Sequence, residues 1–429
     1  MDIPFLDNLN RLGAAGYILL VFIGFLMVYL TLSNRVNIIL PFIVLSAAFV
    51  GSSISIIDSL SPVSRWITIF LLLLSGVMQS KMKVSLGGFL FWMYVFFGFV
   101  SLFGADAFLW QFQRSVLLII VTLGISLAYG DKPIETYKST LIFIAIGATI
   151  FSVINFILLP NQLRDPSRFA GFARGAASFA MTLGGLLPFI LYGFSQTKSA
   201  ILKIIFGIGF LAGAITLIFT GQRAGTIAGL VSLVPLLIFV RHSKNFLWSV
   251  MLAVAIVVAG QLLLERTSYA RLDFLMSRYS FDAGLSNRET IWQLALDEIS
   301  KNPIGGRGIG AAEQLRSNSF HHTYLEVWYN TGLLGLVFFV AAQIYFFLRT
   351  LITMLSIKDP EKVAIMALAL GYFMGFLVLC FVESTGAGAS NANLILYIYL
   401  GVLVSNLELF RSDVEQLSIT INSLAKQNA

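Results

Sequence analysis

Thirteen apolar runs, each of about the length that crosses a bilayer, limit what this chain can fold into more than any other feature. They lie at 13–32, 38–57, 63–78, 86–103, 112–129, 139–159, 175–195, 201–219, 224–240, 246–264, 331–348, 363–382 and 393–410, and 63–78 is the weakest on length. A membrane helix needs about 20 such residues. Inside hydrocarbon every backbone polar group must be bonded within the protein, which leaves helices or closed barrels as the only spanning structures. The runs are too long for barrel strands, so the expected fold is an all-α polytopic membrane protein of 12–13 transmembrane helices, twelve if one of the first three runs only dips into the bilayer. Composition agrees. Charged residues make up 11% of the chain and mean hydropathy is +0.87, whereas soluble domains carry about 25% charged residues.

The net charge of +7 resembles a nucleic-acid footprint, but the Lys and Arg residues fall mostly in short loops between apolar runs. That is the positive-inside pattern, and no nucleic acid is implied. Lys81/Lys83, Lys132/Lys138, Lys198/Lys203, Arg241/Lys244 and Arg349/Lys358/Lys362 fall on alternate sides and so share one face, the cytoplasm. The opposite face, the periplasmic side in a cell with a periplasm, then receives 160–174, Gly221 to Arg223, 265–330 and Ser384 to Ala392. The first run ends in Ser33-Asn34-Arg35 rather than a small-residue cleavage site and is expected to be a retained span. The expected organisation is transmembrane helices with short loops over 1–264, a periplasmic loop subdomain at 265–330, C-terminal spans over 331–410 and a cytoplasmic tail at 411–429. Cys380, the single cysteine, lies in an apolar run and is expected to pack as a small hydrophobe.

Titratable groups are costly inside a bilayer and gather where a loop meets its edge. The long polar interruption from Asn287 to Gly335 is therefore where chemistry is expected. Between Glu265 and Asn330 six Arg and one Lys face eight acidic residues, a balance that suggests a folded subdomain. Arg288 to Lys301 places Ile291, Trp292, Leu294, Ala295, Leu296 and Ile299 on one helical face, as in an amphipathic helix lying at the membrane surface, and Asn302-Pro303 ends it. Ile304 to Gly310 reads as a flexible glycine turn; no strand precedes it and no Gly-Lys-Ser/Thr follows, so it is not a phosphate loop.

His321 and His322 lead into the next apolar helix. With Asn318 or Ser319 as N-cap they fall in its first turn, where the helix dipole disfavours added positive charge and leaves an imidazole able to accept a proton. His322 could also pair with Glu326 one turn on. His321, His322 and Glu326 do not read as a metal site, because adjacent helical residues point about 100° apart and no zinc-binding spacing accompanies them. Arg223 sits between two spans, at the bilayer edge, where its guanidinium can fork onto phosphate or anchor the helix to headgroups. Arg168 and Arg174 flank Phe169-Ala-Gly-Phe172 on the same face and can meet an anionic lipid.

These segments together resemble the O-antigen ligase family of bacterial membrane glycosyltransferases. The family pattern is a histidine, a small polar residue, nine positions, glycine, two positions and glycine; His321, His322, Gly332 and Gly335 keep its spacing, with His322 where Asn, Ser or Gln is usual. Arg288-Glu-Thr-Ile-Trp292 with Pro303, Gly306 and Gly308, Thr220-Gly-Gln-Arg223-Ala-Gly225, and Arg168-Phe-Ala-Gly171-Phe resemble three further family segments. The resemblance implies a GT-C-like helical fold that moves a glycan from an undecaprenyl-diphosphate carrier to a sugar hydroxyl of lipid A-core, inverting and without a metal or other cofactor. It also implies roles. His321, Arg223 and Arg288 would be catalytic, and Arg168, Arg174, Arg307, His322 and Glu326 would bind substrate. An O-antigen or capsule polymerase and a protein O-oligosaccharyltransferase are the alternatives within this class. Polymerases carry arginines separated by ten residues from a glycine in two periplasmic loops; Arg164 to Gly175 and Arg174 to Gly185 fit, but no arginine of 265–330 does. A lipid-linked glycan transporter would instead place charges along a path through the spans.

Overall fold

The computed structural model describes residues 13–33, 35–49, 55–79, 85–159, 169–173, 175–240, 277, 288–316, 320–384 and 391–406. The described residues form helices and no strand, so the all-α polytopic fold holds. In chain order the helices are α1 (Gly13–Leu32), α2 (Val36–Ala48), α3 (Ser55–Gln79), α4 (Leu86–Val100), α5 (Phe108–Tyr129), α6 (Ile134–Leu158), α7 (Ala176–Gln196), α8 (Ala200–Phe219), α9 (Arg223–Val240), α10 (Arg288–Ser300), α11 (Ala311–Arg316), α12 (Thr323–Ser356), α13 (Pro360–Val382) and α14 (Ala392–Ser405). Among the described residues eight helices are long and apolar enough to cross a membrane, and shorter apolar helical stretches lie at Tyr17–Leu32, Val36–Ala48, Arg223–Ile238 and Ala392–Ser405. The run at 246–264 and the tail after Arg411 lie outside the described residues.

The early runs are divided differently from the expectation. Helix α3 takes in Asp58, Ser59, Ser61 and Pro62 and reaches 25 residues, while α2 has only 13. Thirteen residues rise about 20 Å, less than the roughly 30 Å hydrocarbon layer. Polar serines do not end a buried helix when they bond its own carbonyls, and Ser64 Oγ donates to the Ser61 carbonyl at 3.1 Å. Later helices begin where the chain supplies an acceptor for the free amides of a first turn. Ser85, Ser199, Asp359 and Asn391 cap α4, α8, α13 and α14 in this way.

The two ends of the bundle are distinct. At one, Lys138 pairs with Glu361, the Tyr129 hydroxyl donates to the Val36 carbonyl at 2.7 Å, and Asn406 donates to the Gly130 carbonyl at 3.2 Å. These contacts bring together loops that the basic pattern assigns to one face. The starts of α9, α10 and α12 and the end of α13 meet at the other.

Small residues set how closely the site-bearing helices approach, as is usual in membranes where backbone contact replaces hydrophobic drive. A Cβ built on Gly184 of α7 would lie 2.5 Å from the Gly225 carbonyl of α9, and one on Gly371 of α13 would lie 2.1 Å from the Ser232 carbonyl of α9. Helix α9 is thus wedged between α7 and α13, which fixes Gln222 and Arg223 at its start relative to Glu383 just past the end of α13.

Helix α12 begins at Thr323, eight residues before the expected span, because it is two helical pieces joined at Gly332 (φ 75°, ψ 179°). The break frees backbone groups that the glycine-rich stretch satisfies. Arg307 N–H donates to the Tyr329 and Asn330 carbonyls at 3.0 and 3.1 Å, Gly308 N–H to Asn330 at 2.8 Å, and Leu333 N–H to the Pro303 carbonyl at 3.0 Å. The expected flexible turn is therefore a pinned strap. Helix α10 differs as well. Ala295 and Ile299 are buried with Ala311, Ala312, Phe320 and Tyr329, so its apolar face is covered largely by protein rather than by the membrane surface, and Leu296 is left 46% exposed. Gly332→Ala would place a methyl 1.9 Å from the Ile304 carbonyl oxygen, at a φ/ψ pair essentially confined to glycine that itself costs about 1–3 kcal/mol. We expect that variant to lose at least about 2 kcal/mol of stability, seen as a lowered thermal transition in detergent; an unchanged transition would show that the break does not require glycine.

Candidate active site

Three segments converge on Glu383. It follows the last residue of α13 in an extended conformation, its side chain leaves the helix axis, and only 3% of that side chain is exposed. Oε1 accepts from Arg288 Nη2 at 2.7 Å and from Gln222 Nε2 at 3.0 Å, and Oε2 lies 3.0 Å from His321 Nδ1. Arg288 Nη1 also donates to the Val382 carbonyl. The Glu383 carbonyl accepts from the Thr323 N–H at 3.1 Å and from its hydroxyl at 2.7 Å, which ties the start of α12 to the end of α13. A buried carboxylate is tolerated only when paired and hydrogen-bonded, and these partners meet that need.

His321 is held in a costly conformation. Its φ of 51° is the only positive value at a non-glycine among the described residues. The turn is fixed by Glu326, whose Oε1 accepts from Phe320 N–H at 3.0 Å. Backbone strain held this way aims a side chain, here the imidazole at Glu383. A carboxylate beside a guanidinium acts only as an acceptor, so the hydrogen in the contact belongs to His321 Nδ1. The neutral ring then carries its lone pair on Nε2. A carboxylate that fixes the imidazole tautomer in this way is the support a general base requires.

The other expected site residues are distributed as follows. His322 is itself the N-cap of α12: its Nδ1 accepts from Leu325 N–H at 3.4 Å, so both histidines precede the first turn rather than occupying it. Asn318 and Ser319, the expected caps, lie outside the described residues. Burial holds the His322 imidazole below its ordinary pKa. Glu326 is buried, and its carboxylate serves the Phe320 turn rather than an i,i+4 pair with His322. Arg223 opens α9 directly after Gln222 and so stands one residue from the cluster. Arg307 stands apart from Glu383. It pairs with Asp106 at 3.2 Å and lies over the Tyr329 ring at 5.6 Å. Arg168 and Arg174 lie outside the described residues. Of the stretch between them, Phe169 is buried and Phe172 N–H donates to Asn155 Oδ1 at 2.9 Å, beside a cavity of about 160 Å³ lined by Ala173, Ser178, Thr182 and Asn391.

Glu383 and Gln222 are not singled out by the sequence reading. The available signal was an acid at the very end of the uncharged 363–382 run and an amide inside the Thr220 to Gly225 segment. Arg288 keeps three N–H donors beyond the two bonded to Glu383 and Val382, so it can still bind an anion while it is paired.

A helical bundle long and apolar enough to cross a membrane several times, with a histidine, two carboxylates and arginines gathered at one end, is that of a multi-pass membrane protein with a polar cluster at a bundle end. Residues 208–340 match the family model described as O-antigen ligase, so that this segment is similar to that family. The match spans Arg223, Arg288, Arg307, His321, His322 and Glu326 and stops short of Glu383. A search of curated proteins finds no match to the chain.

Proposed function

We propose that this protein transfers a glycan from undecaprenyl diphosphate to a sugar hydroxyl of lipid A-core at the periplasmic face of the inner membrane. The observation that carries the reading is the convergence of His321, Arg288 and Gln222 on Glu383, at the bundle end opposite the basic loops. His321 Nε2 takes the proton of the acceptor hydroxyl as that oxygen attacks the anomeric carbon. The bond from that carbon to the carrier phosphate breaks with inversion. The electron pair leaves on the diphosphate, whose charge Arg223 and the free donors of Arg288 stabilise, and the proton remains on the imidazole. Membrane lipids surround the bundle, and both substrates enter from the bilayer with their polar ends at its edge. A polymerase would use the same groups and differ only in taking a second carrier-linked glycan as acceptor.

The test is to supply the purified protein with carrier-linked glycan and lipid A-core in EDTA. We expect glycan-bearing lipid A-core, at a rate that added Mg²⁺ does not raise, because guanidinium groups take the role of the cation. Longer carrier-linked glycan as the product would overturn the ligase reading in favour of polymerase, and no product in EDTA with recovery by Mg²⁺ would overturn the metal-independent mechanism.

A further inference from the structure

The two adjacent histidines are bonded in opposite senses. His321 presents Nδ1 to the Glu383 carboxylate at 3.0 Å, so its hydrogen sits on Nδ1. His322 Nδ1 instead accepts the Leu325 amide hydrogen at 3.4 Å. A nitrogen that accepts carries no proton, so the proton of a neutral His322 is on Nε2. An amide donor also opposes the charged ring, in which both nitrogens would carry hydrogen and the cap would be lost. Burial acts in the same direction.

The surroundings of His322 differ from those of His321. Three aromatic rings surround it, Trp292 at 5.3 Å, Tyr324 at 5.8 Å and Phe381 at 6.2 Å between centroids. Trp292 is fixed by its indole N–H, which donates to the Phe320 carbonyl at 3.2 Å. The group has an open side, since Phe381 is 57% exposed. Aromatic faces with one neutral N–H suit the apolar face and hydroxyl edge of a sugar better than a diphosphate, which calls for cations.

Resting on the transfer reading above, we propose that His322 is a fixed neutral hydrogen-bond donor, not a second base, and that its Nε2–H binds a sugar oxygen of the glycan or acceptor held beside His321. The pair then divides the work, with a lone pair on one Nε2 and a hydrogen on the next.

Two measurements test this. The chain has three histidines, so selective ¹⁵N-histidine labelling gives six ring-nitrogen signals, with His322 assigned by its loss in His322→Asn. At neutral pH we expect Nε2 protonated and Nδ1 bare in His322, and the reverse in His321. A His322 proton on Nδ1, or on both nitrogens, overturns the proposal. The second compares His322→Asn with His322→Asp. Both residues cap helices well, but only asparagine keeps a donor. We expect kcat/KM of the aspartate variant to fall about 10–100-fold below that of the asparagine variant, the cost of leaving a buried polar partner unmet, with similar thermal transitions. Equal kcat/KM in the two variants would reduce His322 to a helix cap. Failure of the wild-type protein to transfer any glycan would sink the transfer reading instead, and the tautomers are read without substrate.

Discussion

Glu383→Gln is expected to lower the rate of glycan transfer by about 10²–10⁴, a range set by losses seen when the carboxylate behind a catalytic imidazole is made neutral. Glutamine keeps the shape, so the reason is electronic. Oε1 and Oε2 of Glu383 bond Arg288, Gln222 and His321 at 2.7, 3.0 and 3.0 Å, and all three contacts need an acceptor. An amide offers one acceptor and one donor. If its oxygen stays with Arg288, its NH₂ faces His321 Nδ1, drives the imidazole proton to Nε2 and removes the lone pair that takes the acceptor proton. With the amide turned the other way, Arg288 and Gln222 meet an N–H and the guanidinium loses its partner. Either way kcat falls more than protein yield does. Gly332→Ala provides the contrast, lowering stability without touching these groups, so its rate per folded molecule should stay near the wild-type value. A Glu383→Gln protein that folds and transfers at the wild-type rate would show that the carboxylate only joins helices.

Much of this arrangement was legible in the sequence, because hydropathy reports local burial and the chain's spans are local. The apolar runs from 86 to 240 and from 363 to 410 fall on described helices to within a few residues, and the polar interruption around His321 is where the titratable groups gather. What could not be read is the pairing across the chain. Glu383 lies 62 residues from His321 and 95 from Arg288, and in the sequence it is only the residue that ends a run. Gln222 meets it from 161 residues away. The break in α12 was hidden for a similar reason. Gly332 looks like any membrane glycine until the stretch from Pro303 to Gly308 is laid against it and takes up the hydrogen bonds that the break leaves open. The division between α2 and α3 misled in the opposite way, because Asp58, Ser59, Ser61 and Pro62 have loop composition but lie within a helix. Arg307 falls in the matched family segment, and its contacts with Asp106 and Tyr329, made across the chain, were equally unreadable from its neighbours in sequence.

The second large effect is expected at His321. Alanine there should cost about 10²–10⁴ in rate, the usual share of acid–base catalysis, while binding of the carrier-linked glycan should change little if, as proposed, arginines hold its diphosphate. Alanine also relieves nothing else that the reaction uses. Glu326 still fixes the Phe320 turn through its bond to the Phe320 N–H at 3.0 Å, and Arg288 still pairs with Glu383 at 2.7 Å. The measurement that bears most directly on the account is therefore transfer by purified His321→Ala with and without added imidazole. A base that has been deleted can be replaced by a free one that diffuses into its place, whereas a lost structural contact cannot. The account predicts a variant slowed by at least about a hundredfold that regains part of its rate as imidazole is added, with the wild-type protein unaffected by the same additions. A His321→Ala protein that transfers glycan at the wild-type rate without imidazole would contradict it.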